Sequence, residues 1–240
     1  MVAWRISVSA DCRLDTQQDA FGNIVHSFTA DGPLDELVVH VEGQVETEDT
    51  HGLVRGAIER FPPDLFLRET ALTVPDEAIS RAAEAIRTHA GPDTLSVLHA
   101  VGAELYSDIT YDTDPTHAAT TAQEAFALKR GVCQDLTHIF IAAARHLGIP
   151  ARYVSGYFCR ADGITEQEAG HAWAEAHVPD LGWVGFDPTN GISATDQHLR
   201  VAVGLDYLTA APVRGTQSGG SGEALSVRVL VDQAMGQMQS

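Results

Sequence analysis

Cations are scarce in this chain. Its 240 residues carry 15 Lys+Arg against 33 Asp+Glu, a formal charge of −18 with the eleven His counted neutral. Contact with nucleic-acid phosphates needs the opposite surface, as does docking on anionic lipid, so neither partner is expected. Long apolar runs are lacking too. No stretch approaches the ~20 residues that cross a bilayer, and Met1-Val2-Ala3-Trp4-Arg5 shows no basic segment leading into an apolar one, so no signal peptide is visible. Cysteine is limited to Cys12, Cys133 and Cys159, too few and too scattered for a disulfide scaffold or a zinc site. A reducing cytoplasm is the expected compartment. His26, His40, His51 and His177 share no metal-ligand spacing, and no His-Glu-x-x-His pattern occurs, so neither metal nor cofactor is expected. What is present is a 44% hydrophobic composition, enough for a sizeable core in one large domain or a domain with a small partner.

The first part reads as strands. Trp4 to Val8 alternates apolar and polar, the period of a half-buried strand. Asp19 to Asn23 carries turn chemistry, Ile24 to Phe28 returns as a second strand, and the Val-rich Glu36 to Val45 is a third. Near Thr70 the character changes. Pro75, Asp76 and Glu77 open a helix over Ala78 to Ala90, stopped at Gly91-Pro92. Leu95 to Leu105 reads as a second helix, and Asp108 to Asp114 as a loop or short strand. Thr121 and Glu124 have capping-box spacing for a helix to about Arg130. Leu136, Ile139, Phe140, Ala143 and Leu147 mark one face of the next helix, ended by Gly148 and Pro150. Strands are expected over Ala151 to Phe158, His171 to Val178, Trp183 to Asp187, His198 to Val203 and Ser226 to Val231, with a flexible loop over Gly215 to Gly222.

Chemistry concentrates where that helix begins. Cys133 at a helix start faces unpaired backbone amides and the positive end of the dipole, which favour thiolate over thiol. The same amides suit a developing oxyanion. The alternative is an inert buried thiol. A nucleophile needs a base: His171 opens a strand in which His171, Trp173, Glu175 and His177 share one face, opposite the small residues Ala172, Ala174, Ala176 and Val178. The small face suits close packing on a core, so His171 is expected to look toward a cleft or solvent. A base needs an orienter, and Asp187 ends the apolar strand that follows. Around them, Gln134 is near enough to line the site, Tyr111 is a candidate oxyanion donor or a packing aromatic, and Trp173 walls the cleft or packs in the core. Asp135 in the first helical turn reads as a cap, and His138 lies off the Cys133 face as a structural residue.

This arrangement makes a geometric demand. Residues facing each other in an antiparallel pair have a constant number sum, so a two-residue loop gives an odd sum and puts His171 and Asp187 on opposite faces. An even sum, with Trp173 opposite Asp187, sets Asp187 diagonal to His171 and within reach. A three- or five-residue loop, or a bulge, is therefore predicted around Pro179 to Gly182.

Gly131-Val132-Cys133-Gln134-Asp135, then Gly170-His171-Ala172-Trp173, then Trp183 to Gly191 resemble the three boxes of the bacterial transglutaminase-like superfamily. Gly148 to Tyr157, and Val201 to Gly204 with Asp206-Tyr207, are similar to the same family. Its members are often described as candidate cysteine proteases. The resemblance implies an α+β fold with a papain-like core, the Cys helix packed on an antiparallel sheet. It implies Cys133 as nucleophile, His171 as base and Asp187 as orienter, acting on a protein or peptide substrate through a thioester. Water resolves that thioester in a protease or amidase, and an amine in a transglutaminase. It also implies a division into a partial N-terminal β-domain over 1–69, begun late and leaving an exposed sheet edge, and a catalytic core over 70–240. Leu205 stands where relatives usually have Arg. A different class, a non-catalytic binding or assembly module on the same fold, is separated from the enzyme by the reactivity of Cys133.

Overall fold

The computed structural model describes residues 2–216 and 224–233. The expected loop over Gly215 to Gly222 thus falls largely outside the described residues. In chain order come strands β1 (Ala3–Val8), β2 (Asp15–Gln18), β3 (Ile24–Ser27) and β4 (Val39–Gln44), and helices α1 (Glu77–Ala90) and α2 (Thr94–Asp108). Strand β5 (Thr110–Tyr111), helix α3 (Ala122–Leu128), strand β6 (Arg130–Gly131) and helix α4 (Cys133–His146) follow. Strands β7 (Ala151–Phe158), β8 (Glu166–Gln167), β9 (His171–Val178), β10 (Gly182–Asp187), β11 (Ile192–Ser193) and β12 (His198–Gly204), helix α5 (Tyr207–Ala210) and strand β13 (Val229–Leu230) complete the list. A 3₁₀ turn occupies Pro63–Leu67.

An antiparallel sheet in the order β11-β10-β9-β7-β12 is the frame. Its β9 face of Ala172, Ala174 and Ala176 is flat, so α4 lies close against it in one core with Leu98, Val101, Ile139, Phe140 and Phe186. Periodicity suggests one apolar face for α4, but every residue from Asp135 to Arg145 is buried. The sheet covers one side and α1, α2 and α3 cover the others. Polar groups on such a helix need partners. Thr137 Oγ1 donates to Cys133 O at 2.7 Å, and His138 Nε2 accepts the Tyr207 N–H at 3.0 Å. Burial pushes His138 down to about 4, so the ring is neutral, as its structural reading requires. Arg145 donates to the carbonyls of Phe66, Ala151 and Leu205 and to Thr73 Oγ1, tying the helix to three distant segments.

The opposite sheet face is also covered beyond His171, which decides between the two readings of Trp173 in favour of core packing. Trp173 is 2% exposed among Val154, Val203, Phe21 and Ala194. Glu175 is equally hidden, held by Arg152 and Arg200. The cover comes from the N-terminal third. Asn23 spends its side-chain amide on the Val203 backbone, donating to the carbonyl at 2.8 Å and accepting the N–H at 2.9 Å. Residues 52–54 lie along β10, with Gly185 N donating to Gly52 O at 2.8 Å and Val54 N to Trp183 O at 2.9 Å. This long-range cover leaves no trace in the local alternation of β9.

Other boundaries shift for local reasons. Helix α3 stops at Leu128, because Lys129 turns left-handed (φ 54°) and delivers Arg130 and Gly131 to pair in parallel with β5. The Ser226 to Val231 strand shrinks to β13, which pairs with β8. Among the described residues no helix is long and apolar enough to cross a membrane.

Candidate functional site

The site lies where α4 begins and β9 and β10 meet. Cys133 is the first residue of α4 and is partly exposed. Asp135 Oδ2 accepts the Val132 N–H at 2.8 Å and the Thr116 hydroxyl at 2.8 Å, closing the cap and pinning the preceding loop. The turn before the helix is tight: a Cβ on Gly131 would lie 2.7 Å from Asp135 Oδ2. Capped this way, α4 presents Cys133 and the first-turn amides of Cys133 and Gln134, which have no carbonyl one turn back to bind.

The β9–β10 hairpin has the three-residue loop that the pairing argument calls for. Gly182 pairs with Val178 and Phe186 with Ala174, leaving Pro179, Asp180 and Leu181 as the loop. Asp180 (φ 66°) and Gly182 (φ 84°) take up the left-handed turn. This register sets Asp187 diagonal to His171 on one face. His171 Nε2 lies 2.7 Å from Asp187 Oδ2. Cys133, at the start of α4, is among the groups that act on the same ring. Burial disfavours the imidazolium. The hydrogen bond and charge of Asp187, with the nearby Cys133, outweigh it, pushing His171 up to about 10.

Asp187 is fully enclosed and heavily supported. Its Oδ2 accepts from His171, from His198 Nε2 at 3.0 Å and from Asn190 Nδ2 at 2.7 Å. Its Oδ1 accepts the backbone N–H of Thr189 at 3.0 Å and of Asn190 at 3.2 Å. Burial favours the neutral acid, but hydrogen bonds from His171, His198 and Asn190 hold the carboxyl well below the usual range. Sequence reasoning singled out neither His198 nor Asn190. Asn190 lay inside a quoted box without a role. His198 opens β12, at the far edge of the sheet from β11, and only the crossing from β11 to β12 brings it over Trp173.

His171, Asp187 and His198 present donor atoms within 4.8 Å of one another, a spacing a metal ion can use. Hydrogen bonds already account for the trio. The Thr195 N–H donates to His198 Nδ1 at 3.0 Å, so the His198 proton sits on Nε2 and points at Asp187.

The remaining candidates sit at the rim or behind. Gln134 is half-buried and donates to Ala118 O at 3.2 Å. Tyr111 is 59% exposed on β5 rather than packed, and partial burial together with the nearby charge of Cys133 raises its phenol. Trp173 is buried behind His171, ring centroids 6.1 Å apart.

The transglutaminase-like superfamily core matches residues 80–188, and the bacterial transglutaminase-like N-terminal region matches residues 1–46. An uncharacterized protein of Mycobacterium leprae is 33% identical over 225 residues, 88% of this chain and 78% of that one. A protein-glutamine gamma-glutamyltransferase of Pseudomonas aeruginosa is 33% identical over 98 residues, 37% of this chain and 15% of that enzyme. Among solved structures, a candidate cysteine protease from Cytophaga hutchinsonii has a TM-score of 0.67 at 19% identity, covering 97% of this chain and 80% of that one. That likeness is one of fold.

Proposed function

This chain belongs to the transglutaminase-like superfamily, and from that premise we propose that it is a thiol acyl enzyme acting on an amide of a protein or peptide. The observation that carries the reading is the 2.7 Å pairing of His171 with the enclosed Asp187, with Cys133 at the α4 terminus acting on the same ring.

In this reading the Cys133 thiolate attacks the amide carbon and forms a C–S bond. The carbonyl oxygen takes up negative charge, met by the first-turn amides of α4 and by the Tyr111 hydroxyl at the rim. His171, protonated in the resting pair, gives its proton to the leaving nitrogen as the C–N bond breaks. Acylation removes the thiolate's charge, so His171 loses one of the partners that hold its proton and becomes a competent base. It takes a proton from the acceptor, whose oxygen or nitrogen attacks the thioester, and the C–S bond breaks to restore thiolate and imidazolium. Water as acceptor gives hydrolysis, the favoured outcome because water is always present and a crosslinker must exclude it. A lysine amine as acceptor gives amine transfer instead, the type of reaction named for the gamma-glutamyltransferase that part of this chain resembles.

The test is intact-mass spectrometry during incubation with a glutaminyl peptide, with and without a primary amine. An acyl adduct on Cys133 is expected, with glutamate as the product in water. Product formation that persists in Cys133→Ala, with no adduct, contradicts the reading.

A further inference from the structure

We infer that His198 is a positioning residue for the reaction: an N–H donor, its tautomer set by the backbone, that fixes the Asp187 carboxylate toward His171. The inference rests on the acyl-enzyme reading above. A backbone N–H only donates, so the 3.0 Å bond from Thr195 N obliges Nδ1 of His198 to carry a lone pair. The ring proton is then on Nε2 and donates to Asp187 Oδ2 at 3.0 Å. The backbone selects the tautomer. The ring itself cannot turn: its side chain is 1% exposed, wedged between Phe158 at 4.7 Å and the edge of Trp173 at 5.1 Å.

His198 differs in kind from the other supports of Asp187. Thr189 and Asn190 belong to the turn that Asp187 itself begins, so they move with it. Among the described residues, His198 is the donor to Asp187, besides His171, that comes from outside this turn. It ties the end of β10 to β12 across the sheet and sets the direction of Oδ2 independently.

The step that depends most on this support is resolution of the thioester. In the free enzyme the Cys133 charge helps to hold His171. In the acyl-enzyme that charge is gone, and Asp187 is the charged partner left to orient the ring while it accepts a proton.

Asn and Gln variants separate the two ends of the His198 ring. His198→Asn reaches only the Nδ1 position, so it keeps the contact with Thr195 and loses the donor to Asp187. His198→Gln sets an amide N–H at the depth of Nε2. The probe is 4-nitrophenyl acetate, with the burst of 4-nitrophenolate reading acylation and the steady state reading deacylation, corrected for Cys133→Ala. Loss of an orienting partner typically costs about 10–100-fold. The expected result is a deacylation rate lowered about 10–100-fold in His198→Asn, an acylation rate changed less than about threefold, and recovery of deacylation to within about fivefold in His198→Gln. Native-like deacylation in His198→Asn, or equal loss in both variants, overturns the inference while leaving the triad in place. If His198→Asn does not fold, a folded His198→Gln that loses more than about tenfold overturns it too. A native protein without a Cys133-dependent burst overturns the triad and the inference together.

Discussion

Asp187→Asn is expected to lower Cys133-dependent acyl turnover by about 10⁴-fold, the size of effect known for the carboxylate of serine-protease triads. The reason lies in the five donors that converge on this side chain. A carboxylate meets all of them with acceptor oxygens. A carboxamide has one oxygen and one NH₂ group. If its oxygen stays toward His171, its NH₂ faces the backbone N–H groups of Thr189 and Asn190. If it flips, the NH₂ faces His171, His198 and the Asn190 amide. Either way buried donors oppose donors, at a cost of about 1–3 kcal/mol for each unsatisfied group. The charge that opposes the burial of the His171 imidazolium also disappears. The check is the 4-nitrophenyl acetate burst and steady state of the purified variant, alongside its melting curve. Turnover within tenfold of the native protein would mean that Asp187 is a turn residue with no part in the chemistry.

Glu175→Gln is expected to lower stability by about 3–5 kcal/mol without touching the site. Glu175 is 1% exposed and bridges Arg152 Nε and Arg200 Nε, each at 2.7 Å. Burial favours its neutral form, but the two guanidinium groups hold it below the usual carboxylate range. Arg152 is itself enclosed, its guanidinium 3.9 Å from the Trp183 ring, and its other partner, Glu59, is at the surface. Without the Glu175 charge, Arg152 and Arg200 face one another across a neutral amide. At roughly 2–4 °C per kcal/mol for a chain of this size, the melting temperature falls by about 10 °C. The same depressed pKa gives the acid limb a sign. The stabilisation from Glu175 is fully present above its unfolded value near 4.5 and is lost as pH falls through the lower folded value. Thermal melts between pH 7 and pH 3 measure both, and a drop below about 2 °C at pH 7 would show that the cluster carries little of the fold.

What was legible in the sequence was what is local. Helix boundaries at Asp76, Thr121 and Gly148 follow from capping and breaking residues, and the structure places helix ends within a few residues of each. The β9–β10 loop was legible because side-chain parity along two strands leaves few ways for His171 and Asp187 to meet. The Cys133, His171 and Asp187 boxes were legible by their likeness to a family, and the His171–Asp187 contact follows from that register. The remainder depends on chain that is distant in sequence. Trp173 and Glu175 alternate as exposed residues would, yet residues 21–61 cover them. Helix α4 reads as amphipathic although neighbours enclose it on every side. His198 shows no signal of its own, since its role arises only where the β11–β12 connection crosses the sheet and Thr195 sets its tautomer.

The most direct test of the central claim is the pH dependence of iodoacetamide labelling at Cys133, resolved by mass spectrometry from Cys12 and Cys159. Cys133 is expected to label much faster than Cys12 and Cys159 near neutral pH, activated by the His171 imidazolium and the α4 terminus, and to lose that advantage in His171→Ala. Labelling that rises only near pH ~8.5, as for an ordinary thiol, and is indifferent to His171 would contradict it.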